Sequence, residues 1–218
     1  MNSWFLLTGF LLVATLPCRA QVQVSKEPRH HNVFENSYVR ILDVHIPPGD
    51  TSLMHKHSTP SVFIILTNTK TGSEAIVEPQ KLRLTDGNIW FEGFYDKPRI
   101  HRVWNSDTTE FHVIDMELLN GNPHSIDPPL QLASLTLLLD EKPVRAYRFT
   151  VAAHSAIMFP RRNTPMVVIG LTNVTGKVMI NTTPFVKKGD FIFVQPGSPL
   201  PFINNGPASQ DFAIFELK

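Results

Sequence analysis

The chain repeats itself, and that restricts its fold more than any other feature. Displacing the 218-residue sequence by 105 positions aligns Val39-Arg40 with Val144-Arg145, Thr59-Pro60 with Thr164-Pro165 and Leu66-Thr67-Asn68 with Leu171-Thr172-Asn173, without a gap. With small changes of offset, Asp86-Gly87-Asn88 falls near Lys188-Gly189-Asp190, Asn105 near Asn205 and Glu117-Leu118 near Glu216-Leu217. One matching dipeptide is chance. Several in one register indicate an internal duplication, two copies of a unit of about 100 residues.

The unit reads as β. Tyr38 to Ile46, Val62 to Thr67, Ile89 to Phe91 and Phe111 to Leu118 in the first copy, and Tyr147 to Val151, Met166 to Leu171, Phe191 to Val194 and Phe212 to Leu217 in the second, are β-branched or aromatic runs. Pro47-Pro48-Gly49-Asp50, Asp86-Gly87-Asn88, Lys188-Gly189-Asp190 and Pro196-Gly197 punctuate them as turns. Short strands spaced this way predict a sandwich or a barrel. Between the copies, residues 128–139 carry leucines at 130, 132, 135, 138 and 139 after Pro128-Pro129, and a short helix is expected there within a linker over 121–141.

The first twenty residues have the order of a secretory signal. An apolar run from Trp4 to Leu16 precedes Pro17-Cys18-Arg19-Ala20, so cleavage is expected near Ala20, with a secreted or periplasmic mature chain. The run is shorter than the roughly 20 residues a membrane-spanning helix needs, so no transmembrane segment is expected. Removing residues 1–20 takes away Cys18, the single cysteine, and with it any disulfide, thiolate nucleophile or Cys-ligated metal site. The whole chain has 20 basic and 19 acidic residues, a net charge of +1, with none of the positive excess that holds nucleic acid or an anionic membrane. With 42% hydrophobic residues it has the material for a packed core.

The chemistry concentrates in the first copy. Gly49 is followed by His55-Lys56-His57, and residues two apart on a strand share a face, so both imidazoles can point to one interior place. A third, His101, precedes Arg102-Val103-Trp104-Asn105. Three imidazoles from two strands suit a tetrahedral or octahedral first-row metal site with open positions. Gly, five residues, His-x-His, and later His, three residues, Asn, carried here by Gly49, His55, His57, His101 and Asn105, resembles the cupin family. The resemblance is clear over residues 33–118 and extends to 217 through the duplication.

This resemblance implies an all-β fold of two double-stranded β-helix (jelly-roll) barrels in tandem. A leader over 1–20 and an amino-terminal segment over 21–32 would precede a first barrel over 33–120; the linker over 121–141 would lead to a second barrel over 142–218. It also implies a divalent transition metal, iron, manganese, nickel or zinc, on His55, His57 and His101. The family's glutamate is absent: its position falls on Ser61 or Val62. Three neutral imidazoles leave a divalent ion with nearly its whole charge, so an anionic small molecule is expected at the site. At the 105-residue offset the second copy has Pro160 for His55, Arg162 for His57, Met166 for Ser61 and about Pro201 for His101, and is expected to hold no metal. Arg161 or Arg162 is a candidate anion binder there.

Around the site, Arg40 is a candidate for holding a substrate carboxylate and His112 for facing the same cavity. Trp90, Phe91, Phe94, Tyr95 and Trp104 are expected to line or cap it. His30 and His31 read as solvated. Two functions of different class follow. One is an exported three-histidine, iron-dependent dioxygenase of small organic acids or phenolic compounds; the other is a non-catalytic cupin-fold protein that binds a ligand or carbohydrate. Self-association into a homo-oligomer is left open.

Overall fold

The computed structural model describes residues 21–75, 79–84, 86–119, 127–173 and 178–218; the leader reading falls outside them. Their strands form four sheets, two for each copy. In the first copy an inner sheet holds His30–Glu35, Val39–Ile46, Phe111–Leu118, Ser61–Ile65 and Ile89–Glu92 in that spatial order. Its outer sheet holds Val22–Gln23, His55–His57, Arg99–Asn105, Thr69–Ala75 and Pro79–Leu84. The second copy repeats the inner sheet with Leu135–Asp140, Val144–Val151, Gln210–Leu217, Met166–Gly170 and Phe191–Val194. Ser155–Phe159, Leu200–Asn204, Val178–Ile180 and Thr183–Phe185 form its outer sheet.

Alternation along the inner strands explains the arrangement. Val39, Ile41, Ile114, Met116 and Leu118 share one core with Val144, Ala146, Ala213, Phe215 and Leu217, so the two inner sheets pack face to face. The intervening residues turn inward: Leu42, Val44, Ile46 and Val113 line the first barrel, and Tyr147, Phe149, Val151 and Phe212 fill the second. Strands Ser61–Ile65 and Met166–Gly170 are buried along their whole length, which is why they read as unbroken apolar runs.

The duplication extends to irregularities. A β-bulge between Asn32 and Phe34 recurs between Leu137 and Leu139, 105 positions on. Asn105 Nδ2 donates to the carbonyls of Ile46 and Thr109; Asn204 Nδ2 donates to those of Val151 and Ala208, so Asn204 is the counterpart and the offset has shortened to 99. The corner at Gly49 has φ of 75°, and its counterpart His154 has φ of 50°.

Two expectations change. No helix occupies the described part of 128–139; Leu135–Asp140 is a strand paired with Val144–Val151. Leu132 and Leu135 pack on the second barrel's core, and their spacing reflects burial beside a sheet edge rather than a helical face. The amino-terminal segment also joins the first barrel: Val22 pairs in parallel with His55, and His30 pairs with Val44. No helix of the described residues is long and apolar enough to cross a membrane.

Candidate metal centre

The outer sheet brings the three histidines together. His55 lies directly opposite His101, and His57 sits two residues along on the same face. One ligand atom from each lies within 4.8 Å of the others, and His57 Nε2 is 3.1 Å from His101 Nε2. Two nitrogens each about 2.0–2.1 Å from one ion have a spacing of that order. All three side chains are buried.

Burial also sets their protonation. It pulls His55 down to about 4 and His101 to about 2, with the neighbouring imidazoles adding to it, and holds His57 well below its ordinary value. The rings are therefore neutral at physiological pH, the form a metal requires. His55 Nδ1 donates to the Leu53 carbonyl at 2.8 Å, which fixes the tautomer and leaves Nε2 as a buried lone pair with no hydrogen-bond partner. The donor set and that orphaned nitrogen fit a divalent transition metal on His55, His57 and His101.

A carboxylate stands beside the site where none was expected. Asp115 comes from the inner strand Phe111–Leu118, opposite Phe63, and its Oδ2 lies 3.4 Å from His57 Nδ1. It is 1% exposed. Burial, with Glu117 adding, pushes its carboxyl well above the usual range, while the Ser61 hydroxyl acts in the opposite sense. Its parity with Phe111 and Val113, which also line the cavity, is the sequence signal that marks it as inward-facing.

His30 is corrected from solvated to buried. Its Nδ1 lies 2.7 Å from Glu27 Oε2, and its ring centroid is 4.8 Å from that of His55. Burial acts to raise Glu27, but the His30 contact and the Leu53 and Arg29 amides outweigh it and hold the carboxyl at about 2. The amino-terminal segment is thus fastened over the site by a buried charge. His31 is exposed.

A cavity of about 90 Å³ adjoins the imidazoles, lined by Val44, Phe63, Trp90, Val113, Asp115 and Arg99 among others. Arg99 is ion-paired with Glu92 and sits 5.7 Å from the Phe94 ring centroid. It was missed in sequence because a strand arginine gives no sign of which face it takes. Arg40, the candidate cation, pairs instead with Glu35 and Glu117 and is absent from the cavity lining. His112 faces the opposite side of its sheet and meets Asp43. Among the aromatics, Trp90 lines the cavity and Phe94 stacks on His57 at 5.5 Å. Phe91 packs towards the inter-barrel core, Tyr95 is exposed, and Trp104 covers Gly72.

The second barrel is filled. Phe149, Phe159, Phe185, Phe202 and Phe212 are fully buried in its core. The counterpart of His101 is Leu200 rather than Pro201, since Leu200 faces Phe159 across the sheet and the offset there is 99. Arg162, 105 positions on from His57, is not available to an anion: it is buried against Glu216 and donates to the Pro128 carbonyl. Tyr147 Oη donates to the same glutamate at 2.7 Å. Arg161 remains exposed and donates to the Gly197 carbonyl.

No protein-family model matches the sequence, and no curated protein matches it significantly. Solved structures do match in fold. Salicylate 1,2-dioxygenase from Pseudoaminobacter salicylatoxidans, a bicupin solved as an adduct with gentisate, aligns with a TM-score of 0.57 at 10% identity over 84% of this chain and 70% of its own. AerE from Microcystis aeruginosa aligns with a TM-score of 0.56 at 11% identity over 88% of this chain and 98% of its own. With its duplicated pairs of sheets, the chain has the fold of the cupin superfamily, as two barrels in tandem.

Proposed function

We propose that this chain is an exported metalloenzyme of the three-histidine kind, with iron(II) as its metal, that adds dioxygen to a small organic or phenolic acid. The observation that carries the reading is the convergence of three buried, neutral imidazoles, one of them with an unpartnered Nε2, on a cavity walled by apolar side chains. Export rests on the signal-like order of residues 1–20.

His55, His57 and His101 would hold the metal, which when bound would supply the redox chemistry that joins dioxygen to an organic molecule. The chain's own groups do the rest. Leu53 orients the His55 ring from behind through its carbonyl, and Asp115 Oδ2 stands 3.4 Å behind the His57 ring at Nδ1. Arg99 is the only guanidinium lining the cavity among the described residues and is placed to take a carboxylate in exchange for Glu92. Trp90, stacked on Phe63 at 5.1 Å, and Phe94 keep the pocket dry, so a charged substrate meets little competition from water. At about 90 Å³ the cavity is far smaller than the roughly 300–1,000 Å³ typical of drug-sized ligands, which favours a compact acid.

The test is dioxygen uptake by protein reconstituted anaerobically with iron(II), offered salicylate, gentisate and a series of smaller carboxylic acids. Uptake coupled to loss of one acid, and abolished in His57→Ala, is expected. An acid that binds the iron-loaded protein without turnover would instead make it a ligand-binding protein.

A further inference from the structure

A second group of potential ligands lies on the other face of the same inner sheet. Asp43 and His45 are two residues apart on strand Val39–Ile46, and His112 sits directly opposite His45 on strand Phe111–Leu118. All three project towards the second barrel, beyond the point where Ile41 and Ile114 enter the shared core. The two imidazoles are stacked with centroids 4.2 Å apart, and both turn a nitrogen to one carboxylate: His112 Nε2 is 2.7 Å from Asp43 Oδ1, and His45 Nε2 is 3.2 Å from Oδ2.

We propose that Asp43, His45 and His112 form a second divalent metal site, distinct from the three-histidine centre and suited to zinc. Two imidazoles and a carboxylate are a zinc donor set that leaves a position open. One potential ligand atom from each of the three lies within 4.8 Å of the others. The outer partner of His45 fits as well. Its Nδ1 is 2.8 Å from Glu110 Oε1, so a neutral His45 donates there and has only a lone pair to turn on Asp43. A lone pair facing a carboxylate is balanced only by a cation between them, either a shared proton or a metal ion. His31 lies opposite Asp43 on the next strand, with its ring 6.3 Å from that of His45, within reach of the open position.

The duplication supplies a control. The counterparts in the second barrel are Arg148, Thr150 and Asp211, where Arg148 pairs with Asp211 at 3.6 Å and Thr150 donates to Asp211 at 2.6 Å. That set satisfies itself without an added cation. The first-barrel set also stands at the junction: Gly189, in a turn of the second barrel, packs so closely that a Cβ there would come within 3.2 Å of the His112 ring. The site opens into a cleft of about 680 Å³ that Lys187 and Lys188 line from the second barrel, so an ion there would lie in the seam between the two copies.

The test is zinc stoichiometry by equilibrium dialysis and elemental analysis of metal-stripped, full-length mature protein. Two equivalents are expected for the wild type. One should remain in His55→Ala/His57→Ala, and one in the isosteric Asp43→Asn and in His45→Gln/His112→Gln. Zinc retained undiminished in both junction variants, or no equivalent left in the variant of the buried histidines while its melting stays cooperative, overturns the proposal. If the buried-histidine variant does not fold, the wild type against Asp43→Asn decides alone: a loss of one equivalent supports the site and no loss refutes it. Failure of the three-histidine reading would leave this second equivalent in place.

Discussion

The two barrels place the same backbone around opposite interiors. Where the first has His30, Val44, His55, His101, Val113 and Asp115, the second has Leu135, Phe149, Phe159, Leu200, Phe212 and Ile214 at corresponding strand positions. One interior is hollow and polar on one wall; the other is packed with phenylalanine, and its buried Arg162 is neutralised by Glu216. The comparison teaches that the fold does not need the histidines. A barrel of this shape is satisfied by aromatic packing, so unpartnered polar atoms such as His55 Nε2 mark a cost that the first copy bears for a ligand.

The largest contrast lies between His57 and Arg162, which are 105 positions apart in the sequence. His57→Ala should abolish metal retention at the buried site, while Arg162→Ala should leave metal content unchanged and destabilise the protein by about 3–5 kcal/mol, because Glu216 is left buried without its main counter-charge. Metal analysis and denaturant titration of both variants check this. Next, Phe202→Ala should cost about 3–5 kcal/mol through the cavity it opens in the filled barrel, again with full metal content. Asp115→Asn should weaken metal retention about 10–100-fold without lowering the fold's stability, whereas Ile214→Val at the matching position should cost only about 1 kcal/mol and leave the metal alone.

The first barrel's neutral imidazoles also predict an acid-sensitive metal-free protein. In the unfolded chain a histidine takes up its proton near 6.5, but folded His55 does so only near 4. Stability of the stripped protein is therefore full above about pH 6.5 and falls as the pH drops towards 4. His45, held up at about 9 chiefly by its hydrogen bond to Asp43, acts in the opposite sense: its stabilisation is complete only below about pH 6.5, so it offsets part of the loss between pH 7 and pH 5. A denaturation midpoint unchanged between pH 7 and pH 5 would contradict neutral burial. The smallest contrast is at the matching corners: Gly49→Ala should cost about 1–2 kcal/mol at its φ of 75°, and His154→Gly should gain a fraction of that.

The strands visible in the sequence are those of the two inner sheets. Ser61–Ile65 and Met166–Gly170 are buried along their whole length and write nearly continuous apolar runs, while Phe111–Leu118 and Gln210–Leu217 are almost wholly buried and remain legible although Asp115, Glu117 and Glu216 interrupt them. Thr69–Ala75, Arg99–Asn105 and Ser155–Phe159 belong to outer sheets, where buried polar residues such as Thr69, Thr71, His101 and Asn105 and an exposed apolar one, Met158, break that signal. The three histidines were legible because spacing on two strands is local information. Asp115, His30 and Arg99 reach the cavity through the pairing of distant strands, which no local pattern encodes; Asp115 could have been found only by extending the parity of Val113 one step further. The leucines of 128–139 misled because a sheet edge and a helix face bury the same residue type.

The central claim is that the first barrel, and not the second, holds a transition metal on His55, His57 and His101. The most direct measurement is anomalous diffraction from crystals of the mature protein loaded with manganese(II) or zinc(II). The account predicts a peak about 2.0–2.3 Å from an imidazole nitrogen of each of these three residues and none inside the second barrel. Density showing the three rings with no ion between them at saturating metal would contradict it.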